Sequence, residues 1–376
     1  MVIVEVTSLT EICSRLVPLV GDGVDLFANC IALSRQFQLV FHPSGTKNDT
    51  RSRQLKERAN QHYRRGDYKH AAEDYTRAIR FGRERALLAD LYANRAVTLK
   101  QLGKKVEARA DLEYAVHYGY GVNDESRRRK LRHRMMDLDQ VVADIEKKDH
   151  AHYVSSKVHL CRSSSKGRLI MAREEIEGGE LLLAERAQAS VAILMDEFIT
   201  CCCHCHRPLF AYHVLSCDGC ATMVYCSLKC RRDNLQHECG FIGLLNSAGI
   251  SFLTYALLMK SEKHVDKNHA QLDRGIKFMT AHYESQSHSR ATYAVLAWLL
   301  LMFHSRNQLD LVITPEMLEQ CTSLLYIVQM NSSAIFDPDT GQPVAAALFS
   351  NLSLLNHSCA PNISLEHEEH RSHRIL

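Results

Sequence analysis

The sequence lacks an apolar run long enough to cross a bilayer. Its longest, Ala294–Phe303, is about half of the roughly 20 residues needed, and it predicts a buried helix. The opening MVIVEVTSLTE has an early glutamate and no basic flank, so no secretory signal is expected. A net charge of +3 does not by itself predict nucleic-acid binding. These absences lead us to expect a cytoplasmic and nuclear protein without a membrane partner.

Cysteine, in contrast, is abundant and concentrated. Nine of the fourteen cysteines lie between Cys201 and Cys239. In a reducing compartment such clustering favours zinc over disulfides, and reactive thiols seldom come in ordered pairs. Eight candidate ligands make two closed, structural zinc sites: Cys202, Cys205, Cys217, Cys220, Cys226, Cys230, His237 and Cys239. Side chains two residues apart on a helix point to nearly opposite faces, so we expect His237 and Cys239 to distort the second site or to need a substitute ligand.

An internal repeat precedes the cysteines. Residues 51–118 contain two similar stretches, LKERANQHYRRGDYKHAAEDYTRAI and LYANRAVTLKQLGKKVEARADLEYAV. The equivalent Ala71 and Ala108 lie 37 residues apart, about three more than a tetratricopeptide (TPR) period. Gly66 and Gly103 permit a tight turn between two helices. The segment Glu125–Lys148 is strongly helical and predicts a third repeat or a cap. The repeats serve either as a spacer or as a peptide-binding surface.

One group of polar residues favours peptide binding. Lys56, Asn60 and Asn94 lie where TPR proteins that grip the C-terminal carboxylate of a chaperone tail place a basic residue and two asparagines. Lys130 and Arg134, four residues apart on the next helix, could supply further positive charge. Such a clamp would bind a carboxylate by charge-assisted hydrogen bonds. We therefore expect a chaperone tail as a partner.

The cysteine order and a later heptapeptide resemble known motifs. The paired cysteines with YCSLKC (Tyr225–Cys230) resemble the MYND zinc finger. The string NHSCAPN (Asn356–Asn362) is, on local chemistry alone, a polar turn after an apolar strand. It also resembles the cofactor-binding signature of SET-domain methyltransferases. Together with the repeats, the two motifs resemble a TPR-bearing member of the SET and MYND domain-containing lysine methyltransferases over about residues 50–365.

That resemblance implies an α+β multidomain protein, with a TPR-like helical region and a SET β-fold split by a MYND finger and a helical insert. Short aliphatic runs separated by turn residues support strands on either side of the cysteines. The expected order is an N-terminal helical segment over 1–50, TPR-like repeats over 51–150, SET N-terminal strands over 155–200, the MYND finger over 201–239, the helical insert over 240–330 and an incomplete SET core over 331–376.

The resemblance also implies ligands and an activity, protein-lysine N-methylation of a histone or non-histone protein with S-adenosylmethionine. In the family the zinc pairs interleave, so one ion takes Cys202, Cys205, Cys226 and Cys230, and the other takes Cys217, Cys220, His237 and Cys239. Lys166, Gly167 and Arg168 would lie at the cofactor, although Leu169 replaces a usual glycine. Asn356 and His357 would hold the adenine and amine ends of the cofactor, and Asn331, in the strand-like NSSAI, would line the lysine channel.

The chain ends at Leu376, fourteen residues after Asn362. By resemblance an active-site tyrosine and three partners of Cys359 in a third zinc site should follow, so we expect an incomplete, inactive copy. The alternative is a non-catalytic adaptor that binds partner proteins, including proline-containing peptides at the zinc finger. A zinc-dependent DNA-binding factor is disfavoured, because the helix after Cys226 is too short and too mixed in charge for base recognition.

Overall fold

The structure, a computed structural model, describes residues 2–21, 25–43, 45–136, 152–164, 167–193, 199–209, 214–234, 239–263, 279, 290–306, 312–337, 340–368 and 372–375. The chain forms two compact units. We call them the sheet unit, which comprises Met1–His42, Asp149–Ile193 and Gly243–Leu376, and the repeat unit, which comprises Pro43–Lys148 and Leu194–Ile242.

The first half of the chain is mainly helical. Its elements are β1 (Val2–Val6), α1 (Leu9–Val20), α2 (Leu26–Gln36), β2 (Phe37–Phe41), α3 (Asp49–Arg64), α4 (Tyr68–Phe81), α5 (Arg85–Gln101), α6 (Lys105–His117) and α7 (Glu125–Met136). Residues 1–50, for which a helical segment is predicted, also contain β1 and β2, which pair in parallel. The remainder of the third predicted helix, up to Lys148, lies outside the described residues.

The second half mixes short strands and helices. Its strands are β3 (His152–Val154), β4 (Val158–Ser163), β5 (Gly167–Ala172), β6 (Leu183–Arg186), β7 (Ala189–Ala192), β8 (Leu215–Ser216), β9 (Val224–Tyr225), β10 (Ser332–Phe336), β11 (Pro343–Leu348), β12 (Leu365–Glu368) and β13 (Ser372–Ile375). Its helices are α8 (Leu228–Asp233), α9 (Ile242–Asn246), α10 (Phe252–Lys263), α11 (Arg290–Ser305) and α12 (Pro315–Asn331).

Two helical hairpins, α3–α4 and α5–α6, lie in the repeat unit. Each turns at a glycine with positive φ, 79° at Gly66 and 74° at Gly103, where a residue with a Cβ would be strained. Small residues let the helices pack closely, and a shared core forms around Ala72, Ala96, Leu99, Ala108, Leu112 and Leu131. The predicted helix–turn–helix units are thus present.

Strands from both sides of the cysteine-rich segment pair in the sheet unit. β7, which precedes the cysteines, pairs antiparallel with β11, which follows them, as in Ala192 opposite Ala345. β6 likewise lies between β3 and β13. The long apolar run lies in α11, where Trp298 is fully buried and donates a 3.0 Å hydrogen bond to Ser34 Oγ. Among the described helices, none combines the length and apolarity that membrane crossing requires.

Candidate functional sites

Four cysteines converge in the first cluster. The Sγ atoms of this set lie within 4.8 Å of one another: Cys202, Cys205, Cys226 and Cys230. Cys226 Sγ is 3.6 Å from Cys205 Sγ and 3.4 Å from Cys230 Sγ. Sulfurs bound tetrahedrally to one zinc ion at about 2.3 Å would be about 3.8 Å apart. The local fold places them: Ser227 caps α8 by accepting the Cys230 N–H at 3.1 Å, so both cysteines of the YCSLKC element face the cluster.

Three further cysteines form a second cluster. Sγ atoms of Cys217, Cys220 and Cys239 lie within 4.8 Å of one another, with 3.6 Å between Cys217 and Cys239. Cys239 does not lie on α8, which ends at Asp233. The expected helical conflict between His237 and Cys239 therefore does not apply to Cys239. His237 itself lies outside the described residues.

The surroundings of the second cluster are tightly packed. A Cβ at Gly219 would lie 2.5 Å from Cys239 Sγ, so the glycine makes room for the sulfur. Lys47 Nζ donates a 3.3 Å hydrogen bond to Ser216 Oγ. Burial lowers the pKa of Lys47 to about 8, against the opposing influence of nearby groups that include the Cys217 thiol. Sequence analysis missed both Gly219 and Lys47, and the glycine inside the second CxxC pair is the available signal.

Cys201 and Cys203 do not belong to either cluster. Both are buried, and Cys203 Sγ accepts the Val224 backbone N–H at 3.4 Å. Burial raises the pKa of Cys203 well above its ordinary value, which keeps the thiol protonated and unreactive. These two cysteines therefore act as small packing residues.

The candidate cofactor residues lie on β5 and after a 3₁₀ turn, Leu352–Leu354, which contacts β5. Gly167, at the start of β5, has a φ of 69°, and, apart from its chain neighbours, no atom of the described residues lies within 4 Å of where its Cβ would be. Arg168 is half-buried, whereas Asn356 and His357 are exposed just after the turn. Lys166 lies outside the described residues. The structure thus brings β5 against the turn that leads into the NHSC string.

A buried carboxylate, which sequence analysis missed, anchors that turn. Glu185 on β6 is 3% exposed. Its Oε1 accepts the backbone N–H groups of Asn351 at 2.8 Å and Leu352 at 2.6 Å, and Oε2 accepts the Asn351 side-chain amide at 3.2 Å. A glutamate in the otherwise aliphatic run LLLAE was the available signal.

Two further candidate residues, Asn331 and Cys359, follow the cysteine-rich segment in the chain. Asn331 is the last residue of α12 and donates its amide to the Ile327 carbonyl at 2.8 Å. The strand expected over Asn331–Ile335 instead begins at Ser332, because the helix keeps the asparagine through this side-chain bond. Cys359 is exposed, with its Sγ 3.4 Å from His357 Nε2.

The predicted clamp residues lie on the three helices α3, α5 and α7. Asn60 Oδ1 accepts a 2.6 Å hydrogen bond from Tyr75, a hydroxyl that also interacts with Asn94. Arg134 donates to the Ala93 carbonyl at 3.2 Å, next to Asn94. Lys130 is exposed on α7.

An acidic residue that sequence analysis missed, Asp90, lies among these cations. Lys56 Nζ is 3.1 Å from Asp90 Oδ2, and Arg127 Nη1 is 2.8 Å from Asp90 Oδ1. Asp90 is four residues before Asn94, hence on the same face of α5. Asp90 therefore places a carboxylate between two positive charges, one on α3 and one on α7.

Comparisons with known proteins agree with the motifs. No protein-family model matches the chain. It is 29% identical to "Protein-lysine N-methyltransferase SMYD4" of Pongo abelii over 49% of the chain and 28% of that protein. It is 22% identical to SMYD4 of Danio rerio over 85% of the chain and 55% of that protein. A quarter of the chain, 25%, is 33% identical to 10% of the human "Protein unc-45 homolog B".

The chain thus spans only part of these relatives, 55% of the Danio rerio protein and less of the others. The mouse "Histone-lysine N-methyltransferase Smyd1" is 23% identical over 55% of the chain and 42% of that protein. The matches to methyltransferases are thus of modest identity, but they include more than one kind of these enzymes. The chain is therefore a relative of the SET and MYND domain-containing lysine methyltransferases.

Proposed function

We propose that the protein is an S-adenosylmethionine-dependent protein-lysine methyltransferase. The observation that carries the proposal is the contact of β5, which precedes the cysteine-rich segment, with the turn before Asn356, which follows that segment. Each of these two pieces carries one of the motifs expected to hold the cofactor. The methyltransferase names of the relatives support the same reaction class.

The residues present fit such a cofactor. The open space above Gly167 lets a ligand approach the backbone closely, and Asn356 and His357 offer exposed donors and acceptors. When bound, S-adenosylmethionine supplies an electrophilic methyl group on a sulfonium. The protein must then hold a neutral lysine amine in line with that methyl group.

Cofactor binding is the direct test. Isothermal titration of the 376-residue chain with S-adenosylmethionine should show saturable binding, weakened at least tenfold by Asn356→Ala and by His357→Ala. Gln320→Ala, which removes an exposed amide from α12 in the same unit, is the control and should bind as the wild type does. Absence of saturable binding to the wild type would favour the adaptor alternative.

For the two cysteine clusters we propose structural zinc. Four thiols at the first cluster satisfy a tetrahedral ion, and three thiols at the second leave one position for His237 or another donor. Native mass spectrometry under reducing conditions should find one zinc ion lost in Cys205→Ser. The packing thiol Cys203, changed to serine, should leave the zinc content unchanged.

A second candidate function, binding of a carboxylate-terminated peptide, is favoured by the cations on α3 and α7. Lys56 and Asn60 lie on α3 and Asn94 on α5, and the basic α7 carries Arg134, which donates to the carbonyl next to Asn94. A short acidic peptide with a free C-terminus should bind, its amidated form should not, and Lys56→Ala should abolish the difference. Equal binding of both peptides would contradict the clamp.

Proline-peptide binding and a cytoplasmic and nuclear location remain predictions.

A further inference from the structure

A third group of metal-ligating side chains lies at the turn of the first helical hairpin, away from the cysteines. His62 is in the last turn of α3, Asp67 caps α4 and His70 is in the first turn of α4. His62 Nδ1 is 3.1 Å from Asp67 Oδ2, and His70 Nδ1 is 2.8 Å from both oxygens of the same carboxylate. One ligand atom from each residue lies within 4.8 Å of the other two.

These distances suit coordination as well as hydrogen bonding. Imidazole and carboxylate ligands bind zinc at about 2.0–2.2 Å, so ligand atoms on one ion are about 3 Å apart. The two imidazole rings already lie nearly parallel, with centroids 5.5 Å apart and an angle of 29° between their planes. Little rearrangement would be needed to direct both nitrogens and the carboxylate at one cation.

The second hairpin shows that the turn itself does not require these residues. Its backbone makes the same bonds: Lys104 N–H donates to the Leu99 carbonyl at 2.9 Å, as Asp67 N–H donates to the His62 carbonyl at 3.0 Å. The positions equivalent to His62, Asp67 and His70, offset by 37 residues, are Leu99, Lys104 and Glu107. The same helix–turn–helix backbone thus forms in the second hairpin without the two histidines and the aspartate, and in the first hairpin with them.

A buried carboxylate lies behind one of the histidines. Asp74 is 4% exposed, and its Oδ2 is 3.9 Å from His62 Nε2, the nitrogen that faces away from Asp67. Arg58 holds Asp74 in place through two 2.5 Å hydrogen bonds. Carboxylates placed behind ligating imidazoles orient the ring and raise its basicity. At 3.9 Å Asp74 does not hydrogen-bond His62, so it contributes a negative charge behind the ring and does not fix the orientation of the ring.

We propose that His62, Asp67 and His70 form a third metal site, which takes a borderline divalent cation such as zinc. Two imidazole nitrogens and a carboxylate are ligands that zinc accepts, whereas calcium and magnesium prefer oxygen alone. The site is partly exposed, with 61% of the His70 side chain accessible. An exposed three-ligand site keeps a coordination position for water or for a donor from a bound partner.

Zinc counting tests the proposal. The whole chain, reduced and equilibrated with a modest excess of zinc, is examined by native mass spectrometry, and binding is followed by isothermal titration. His62→Ala and His70→Ala should each bind one zinc ion fewer than the wild type and keep the thiolate-bound ions. His133→Ala, which removes an exposed histidine from α7, is the control and should keep the wild-type count.

A variant built from the second hairpin guards against misfolding. The triple change His62→Leu, Asp67→Lys and His70→Glu installs the residues that already form the same turn at Gly103. Helical circular dichroism should match the wild type while one zinc ion is lost. An unchanged zinc count in this folded variant, or in both alanine variants, would overturn the proposal.

Discussion

Arg231, on α8 directly after the YCSLKC element, donates a 2.6 Å hydrogen bond to the phenol oxygen of Tyr118, which directly follows α6. The same guanidinium lies 2.8 Å from Asp218 Oδ1, between the two cysteines of the second CxxC pair. Nearby, the Tyr114 hydroxyl donates to the Cys226 carbonyl at 3.3 Å. Within the repeat unit, helices and cysteine module are therefore joined by buried polar contacts, and the stability of one depends on the other.

Metal removal should consequently destabilise the helices as well as the cysteine module. Without the ion, the short cysteine-rich segment has too small an apolar core to keep its four thiols together. Chelation should lower the thermal midpoint of the helical circular dichroism signal, and hydrogen exchange should speed up in α6. In a protein whose helices fold independently, exchange would increase only in residues of the cysteine-rich segment.

The Arg231–Tyr118 pair can be measured by a double-mutant cycle. The Arg231 side chain is 8% exposed, so Arg231→Met should lower the free energy of unfolding by about 2 kcal/mol, and Tyr118→Phe by about 1 kcal/mol. Because both changes remove one shared bond, the double variant should lose less than the sum. Arg232→Met, at the exposed neighbouring position, should change stability by less than about 0.5 kcal/mol. Strictly additive losses would refute the coupling.

The carboxylate of Asp90 should compete with a peptide carboxylate for Lys56 and Arg127. Asp90→Asn removes the internal negative charge while keeping the side-chain shape, so affinity for a carboxylate-terminated peptide should rise about fivefold, equivalent to about 1 kcal/mol. Fluorescence anisotropy with a labelled peptide measures it. Glu113→Gln, an exposed change on α6, serves as the control. A fall in affinity would show that Asp90 positions the cations instead of blocking them.

Sequence reasoning succeeded where the signal is local. The spacing of Ala71 and Ala108 and the two turn glycines predict the hairpins because helix and turn formation depend on neighbouring residues. It failed where the partner is distant in sequence. Glu185 meets Asn351 across 166 residues, and Asp90 meets Lys56 across 34. The helix that was expected to carry Cys239 ends earlier, since Asn234 is already extended with a ψ of 137°.

The junction between α3 and α5 should make stability depend on pH. Asp49 Oδ1 accepts the backbone N–H groups of Arg83 at 2.7 Å and Glu84 at 3.2 Å. These bonds, above all that from Arg83, hold the pKa of Asp49 below its ordinary value. The unfolded chain therefore takes up a proton first, so the stabilisation is present above the ordinary aspartate pKa of about 3.9 and is lost as pH falls through the lower folded value.

Asp49→Asn isolates this effect, because it removes the charge and retains an acceptor oxygen. At pH 7 the variant should melt at a lower temperature than the wild type. The gap should narrow as the pH falls below the ordinary aspartate pKa and through the lower pKa of folded Asp49, where the wild-type carboxyl also becomes neutral. Differential scanning fluorimetry across that range measures the gap. Glu113→Gln, at an exposed site on α6, should give a much smaller one. A gap for Asp49→Asn that stays constant with pH would mean that the lost stability comes from altered hydrogen-bond geometry and not from the ionised carboxylate.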